Sequence, residues 1–141
     1  MLLRPYEDSD QNHVVGLWRA CGLLAPVNDP IRDIERKSQV NPEWFLVGTI
    51  DGTLMASCMI GYTGHRAEIN YLAVHPDHQG HGHARTMMLH AEQLLLEAGC
   101  PKINLMIRNT NLEVKAFYES LGYVDNHCLS LGKRLIEDGA P

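Results

Sequence analysis

Residues 67–97 read AEINYLAVHPDHQGHGHARTMMLHAEQLLLE, and this stretch decides the fold. Ile69 to Val74 is a short apolar run with β-branched and aromatic members, the composition of a strand. His75-Pro76-Asp77 breaks it, because proline fixes φ and has no N–H to give a sheet. After Gly80 and Gly82, apolar residues recur at Ala84, Met87, Met88, Ala91, Leu94, Leu95 and Ala98. Gaps of three and four trace one face of a helix of about four turns. Gly99 ends it as a left-handed cap, with Pro101 just beyond. The unit is strand, glycine-rich turn, helix. A helix start presents free N–H groups and the positive end of its dipole, and glycine lets a ligand approach the backbone. Such a unit suits a phosphate-bearing molecule.

Spacing decides which one. A P-loop needs Gly-Lys-Ser/Thr after its second glycine, which His83-Ala84-Arg85 does not supply. A Rossmann turn needs G-x-G-x-x-G, and Gly80-His81-Gly82 is followed by Arg85 at the third glycine position. What stands here is Gln79-x-x-Gly82-x-Ala84, preceded by Leu72-x-Val74 and His75-Pro76. This resembles the acetyl-coenzyme-A motif Q/R-x-x-G-x-G/A of the GNAT superfamily of N-acetyltransferases. The resemblance implies that main-chain N–H groups of Gly80, His81, Gly82, His83, Ala84 and Arg85 hold the pyrophosphate, behind Gln79. It also implies that the backbone of Leu72, Ala73 and Val74 pairs with the pantetheine arm like an added strand.

The histidines His75, His78, His81 and His83 fall in a turn without helical or hairpin spacing, and no cysteine or carboxylate pattern completes a tetrahedral set. No metal is expected there. The whole chain, 1–141, reads as a single α/β domain, long enough to bury one core. Its 45% hydrophobic and 21% charged residues are those of an ordinary globule, and no apolar run approaches a membrane span. Met1-Leu2-Leu3-Arg4 does not read as a signal peptide. Cys21, Cys58, Cys100 and Cys128 are scattered through apolar settings without a C-x-x-C pair, as reduced core thiols of a cytoplasmic protein would be. A net charge of −5 argues against nucleic acid as a partner.

Along the rest of the chain, Leu2 to Tyr6 reads as a first strand. A helix follows, capped near Asp8 or Ser9, with Val14, Leu17, Trp18 and Cys21 inward and Gly22 as its stop. Asn28-Asp29-Pro30 opens a second helix, with proline at its first position. Trp44 to Ile50 and Thr53 to Ile60 form a hairpin on Asp51-Gly52, since a two-residue turn of the favoured hand needs positive φ. Lys102 to Arg108 alternates as a further strand. Thr110-x-x-Glu113 is a capping box for a helix ending at Gly122, with Tyr123 packing back on Phe117. Two terminal strands fit Tyr123 to Asp125 and His127 to Arg134. The order β-α-α-β-β-β-α-β-α-β-β matches the GNAT order over nearly the whole chain. The resemblance therefore implies a mixed, mostly antiparallel sheet of about seven strands with four flanking helices. A β-bulge in the central strand is also implied, and it would switch which side chains face the site.

The chemistry this resemblance implies is acetyl transfer from acetyl-coenzyme A to an amine. A thioester needs little activation, so positioning and donors to the carbonyl oxygen do most of the work. The leaving sulfur needs a proton, which a tyrosine neutral at pH 7 can give. Asn111-x-x-x-x-Ala116-Phe117-Tyr118-Glu119-x-Leu121-Gly122-Tyr123 looks like the second GNAT signature. In it the asparagine contacts the cofactor arm and the tyrosine faces the sulfur, which makes Tyr118 the candidate acid. Glu68 is the candidate base, by likeness to family members that use a glutamate through water. Asn70 and Tyr71 are candidates to orient the amine, and His65 an alternative base. Further likeness to the YpeA-like bacterial acetyltransferases lies in Asn28-Asp29-Pro30, Asp33 to Lys37, Gly61-Tyr62, Gly64 to Arg66 and Leu129 to Asp138. A more distant one is to the ribosomal-protein N-terminal acetylases.

The cofactor half cannot tell one amine from another. Specificity is expected from the segment Leu24 to Arg36, the loop Tyr62 to Arg66, and Glu68 and Asn70. Asp29, Asp33, Glu35 and Glu68 would favour a cationic acceptor. Arg32, Arg36, Arg66 and His65 would seat a carboxylate. The expected partner is a small-molecule, amino-acid or peptide amine, with no nucleic acid and no membrane, the chain being a monomer or homodimer. A non-catalytic acyl-coenzyme-A sensor is the alternative, against which Tyr118 speaks.

Overall fold

The computed structural model describes residues 1–139. Its elements run β1 (Leu2–Pro5), α1 (Gln11–Ala20), α2 (Pro30–Lys37), β2 (Phe45–Ile50), β3 (Thr53–Tyr62), β4 (Ala67–Val74), α3 (His83–Glu97), β5 (Ile103–Asn104) and α4 (Leu112–Ser120). The strands lie in the order β1-β2-β3-β4-β5, antiparallel except for the parallel β4–β5 pair. Asp51 and Gly52, at φ 50° and 79°, make the hairpin turn as their residue types require. Asp29 caps α2, its carboxylate accepting from the N–H groups of Ile31 and Arg32 at 2.9 and 3.4 Å.

Two apolar layers sandwich the sheet. Met87, Met88, Ala91 and Leu95 of α3, with Tyr118 of α4, pack on Ala67, Ile69 and Val74 of β4. Val14, Leu17 and Trp18 of α1, with Ile34 of α2, pack on Phe45, Val47, Met59 and Ala73 from the other side. Side chains alternate along a strand, so Ile69 and Val74 could not share a face without an extra residue between them. That residue is present. Between the pairs Met59↔Asn70 and Ser57↔Ala73, β3 has only Cys58, whereas β4 has Tyr71 and Leu72. This is the bulge that the resemblance implied, and Tyr71 takes it at φ +51°.

Three expectations need correcting. The sheet among the described residues has five strands, and the stretches Tyr123 to Asp125 and His127 to Arg134 form none. Their alternation is a local pattern, but a strand also needs a hydrogen-bonded neighbour, and this tail is held by side chains instead. Lys102 to Arg108 shortens to Ile103–Asn104. The cap of α4 is Asn111, whose Oδ1 accepts from the Val114 N–H at 3.2 Å, not a Thr110–Glu113 box. In addition, Tyr123 meets Tyr118 edge-on at 5.6 Å, and Cys128 is exposed while Cys58 and Cys100 are buried.

Candidate active site

β5 pairs only with Ala67 and Glu68, so among the described residues the same edge of β4 from Ile69 to Val74 carries no strand. The open edge leads straight to the turn before α3. There Gly80 and Gly82 stand at φ 81° and 80°, and a Cβ added at either would meet nothing within 4 Å. Gly82 caps α3 without a side chain, and the first helical bond is from Thr86 N–H to Gly82 C=O at 3.0 Å. Among the described residues, none of the N–H groups from Gly80 to Arg85 finds an acceptor. A turn of unpaired donors at a helix start is an anion cradle. Gln79 braces it, its side-chain amide donating to the Val74 carbonyl at 2.9 Å.

Cations around the cradle are few. Partial burial, and then the amino terminus, His81 and His78, lower the His83 pKa from its ordinary imidazole value and so disfavour its cation. The exposed Arg85 is the fixed positive charge of this turn. Among the described residues no three His, Cys, Asp or Glu are grouped to hold a metal.

Tyr118 is 8% exposed and shares an apolar cluster with Leu72, Val74 and Ala84, so α4 brings it against the β4–α3 unit. Phe117 and Tyr123 flank its ring, with centroids 5.0 and 5.6 Å away. Its hydroxyl makes no hydrogen bond among the described residues. Burial, and then the nearby Cys58 thiol, push its pKa up to about 12. The phenol keeps its proton at neutral pH.

Residues 9–123 match the sequence profile described as "Acetyltransferase (GNAT) family". This chain belongs to the GNAT family. An acetyltransferase from Yersinia pestis (strain Pestoides F) is 46% identical over 138 residues, 98% of each chain. The GNAT fold is shared with the ribosomal-protein-S18-alanine N-acetyltransferase of Escherichia coli. That comparison has a TM-score of 0.73 and 21% identity, over 86% of this chain and 76% of the other. N-acetylglutamate synthase from Neisseria gonorrhoeae, complexed with coenzyme A and L-arginine, aligns with a TM-score of 0.66 and 21% identity. It matches 84% of this chain and 26% of its own. No helix among the described residues of this GNAT protein is long and apolar enough to cross a membrane.

The remaining candidates are dispersed over the GNAT scaffold. Leu72, Ala73 and Val74 lie on the open edge of β4. Glu68 is half-buried, opposite Gly61 on β3 and Asn104 on β5, and Asn70 is exposed at the start of the bulge. Arg66 sits before β4, at the far end from the cradle, and donates to the His65 carbonyl at 2.9 Å. Asp29 and Asn111 both have their side chains engaged in helix caps. Tyr71 is not free to orient an amine. Its ring stacks on Trp18 at 3.8 Å and its hydroxyl donates to Asp33 at 2.7 Å. Sequence reasoning did not join this residue to the partners that hold it, Trp18, Ser57 and Asp33. Trp18 was legible only as a core residue, and no sequence pattern joins the four.

Proposed function

We propose that the protein is an acetyl-coenzyme-A-dependent N-acetyltransferase acting on a primary amine by direct attack on the thioester. The observation that carries this reading is the run of unpaired main-chain donors, Gly80 to Arg85, at the end of an unpaired strand edge. Those donors fit a pyrophosphate, with Gln79 bracing them and Leu72, Ala73 and Val74 offering the main chain to an extended arm. Asn111, at the start of α4, is the side-chain candidate for that arm. When bound, the cofactor supplies a thioester, an acyl group on a good leaving sulfur. Tyr118 holds a proton at its Oη for that sulfur, and its raised pKa keeps the proton in place until it is needed. Glu68 accepts the proton of the incoming amine through water, and Asn70, two residues along the same face, orients that amine.

The acceptor class is a small-molecule, amino-acid or peptide amine, with Asp29 and Arg66 as outer contacts. An α-amine, with pKa about 8, is more often neutral than a lysine at about 10.4, which suits a site with a weak base. The likeness to an alanine N-acetyltransferase supports that preference.

Two measurements test this. Coenzyme A at a hundredfold excess over its Kd should stabilise the fold by about 2.7 kcal/mol, a melting rise of several degrees. Gly82→Val, which puts a β-branched residue at φ +80°, should abolish the rise. Acetyl-coenzyme A with an amine library should release free thiol. An equal melting shift in Gly82→Val would sink the cradle, and binding without thiol release from any amine would leave a sensor.

A further inference from the structure

We infer that Tyr71 is a positioning residue for the transfer site, held by a relay that starts in the C-terminal tail at Asp138 and passes through Arg36 and Asp33. The inference rests on the function proposed above and adds to it the part that sets the shape of β4.

Tyr71 is the residue that makes the bulge, and an aromatic side chain at φ +51° does not stay there unaided. Three contacts fix it. Its ring lies flat on Trp18, with centroids 3.8 Å apart and planes within 12°. Its carbonyl accepts from Ser57 Oγ at 2.8 Å, and Ser57 in turn accepts from Trp18 Nε1 at 2.9 Å. Its phenol donates to Asp33 Oδ2 at 2.7 Å.

The third contact leads outward. Arg36 donates to the other oxygen of Asp33 at 3.0 Å and also pairs with Asp138. The Asp138 side chain is fully buried, and it accepts from the Asp29 main-chain N–H at 2.8 Å, at the cap of α2. It is the buried residue in a tail whose leucines are exposed, so the tail is anchored through this carboxylate. Tail, α2 and the bulge of β4 are thus joined by consecutive hydrogen bonds.

The bulge decides what β4 offers. It turns Leu72 and Val74 to the α3 side while Tyr71 and Ala73 face α1, and it sets the main chain of the open edge. Loss of the phenol's anchor leaves Tyr71 free to leave its positive φ, and the edge shifts with it. Seating of the tail is then felt at the site without the tail touching the cofactor.

The test uses the full chain and coenzyme A as the probe, by calorimetry at a temperature where circular dichroism shows every variant folded. Tyr71→Phe keeps the stacked ring and deletes the phenol bond, and Asp138→Asn loosens the far end. Each should weaken coenzyme A binding roughly three- to thirtyfold, the range for mutations along a coupled network. The double variant should bind no worse than the weaker single, since both break one chain. Asp33→Asn serves if Asp138→Asn does not fold. Wild-type affinity in the single variants, or losses that multiply in the double, would overturn the relay and leave the contacts as stabilisers of the tail. If the unsubstituted chain binds no coenzyme A, the proposed function fails and the relay's role with it.

Discussion

The turn between β4 and α3 is built from main chain, whereas the tail from Val124 to Gly139 is held by side chains. In the turn, glycines at positive φ and a helix start provide the donors, and the neighbouring residues in sequence are enough to form it. The tail depends on partners far away: Asn126 with Asn104 and Lys102, Arg134 with Asn28, and Asp138 with Arg36. A common cofactor can be held by atoms every residue possesses.

The sharpest way to break this contrast is Tyr118→Phe, because the proposed acid is a side chain set among main-chain groups. The change keeps the ring between Phe117 and Tyr123 and removes only the hydroxyl, and with it the proton. Turnover should fall roughly tenfold to a thousandfold, with folding and coenzyme A affinity little changed. Full activity would reduce Tyr118 to a core aromatic.

A smaller effect is expected at Asn111, which has two roles in contention. As the cap of α4, Asn111→Ala should cost about 1 kcal/mol of stability by denaturant melts. As a contact to the cofactor arm it should also weaken coenzyme A binding. A stability loss with unchanged affinity would confine it to capping.

The same division explains what was legible in the sequence. Asp29-Pro30, Asp51-Gly52 and Gly82 announce a helix start, a hairpin and a glycine turn into a helix, because each acts through its own backbone. The cap of α4 was misread because Thr110 and Asn111 are adjacent caps in competition, and only the packing of the helix selects one. The terminal strands were misread because Leu129, Leu131 and their neighbours alternate correctly while pairing depends on chain elsewhere. The site's relay was invisible for a related reason. Asp33 reads as a candidate acceptor contact and Asp138 as part of a family-like tail, and only the fold sets both against Arg36.

Acid should separate the two regions by a local change. Arg36, and then the Asp29 N–H, hold the Asp138 carboxyl at about 2 against its ordinary 3.8. Its folded pKa is depressed, so its contribution is complete above about 3.8 and fades as pH falls through about 2. Amide resonances of residues 132–139 should therefore move in that window, and Asp138→Asn should remove the movement. A tail that titrates alike in both proteins would show that Asp138 is not its anchor.

The smallest effect is expected where the sequence pattern was strongest. Leu129 and Leu131 are each 91% exposed, so truncating them removes little buried area. Leu129→Ala and Leu131→Ala should each shift stability by no more than about 0.5 kcal/mol, the usual range for a surface change. Had the alternation placed them in the core of a sixth or seventh strand, each would cost about 2–5 kcal/mol, transfer and cavity together. Urea melts at several protein concentrations decide between these cases. A large, concentration-independent loss would mean that the tail pairs within its own sheet. A loss that shrinks on dilution would mean that a second copy covers the leucines. Only a small, concentration-independent change agrees with a tail tied down at Asp138 and open along its length.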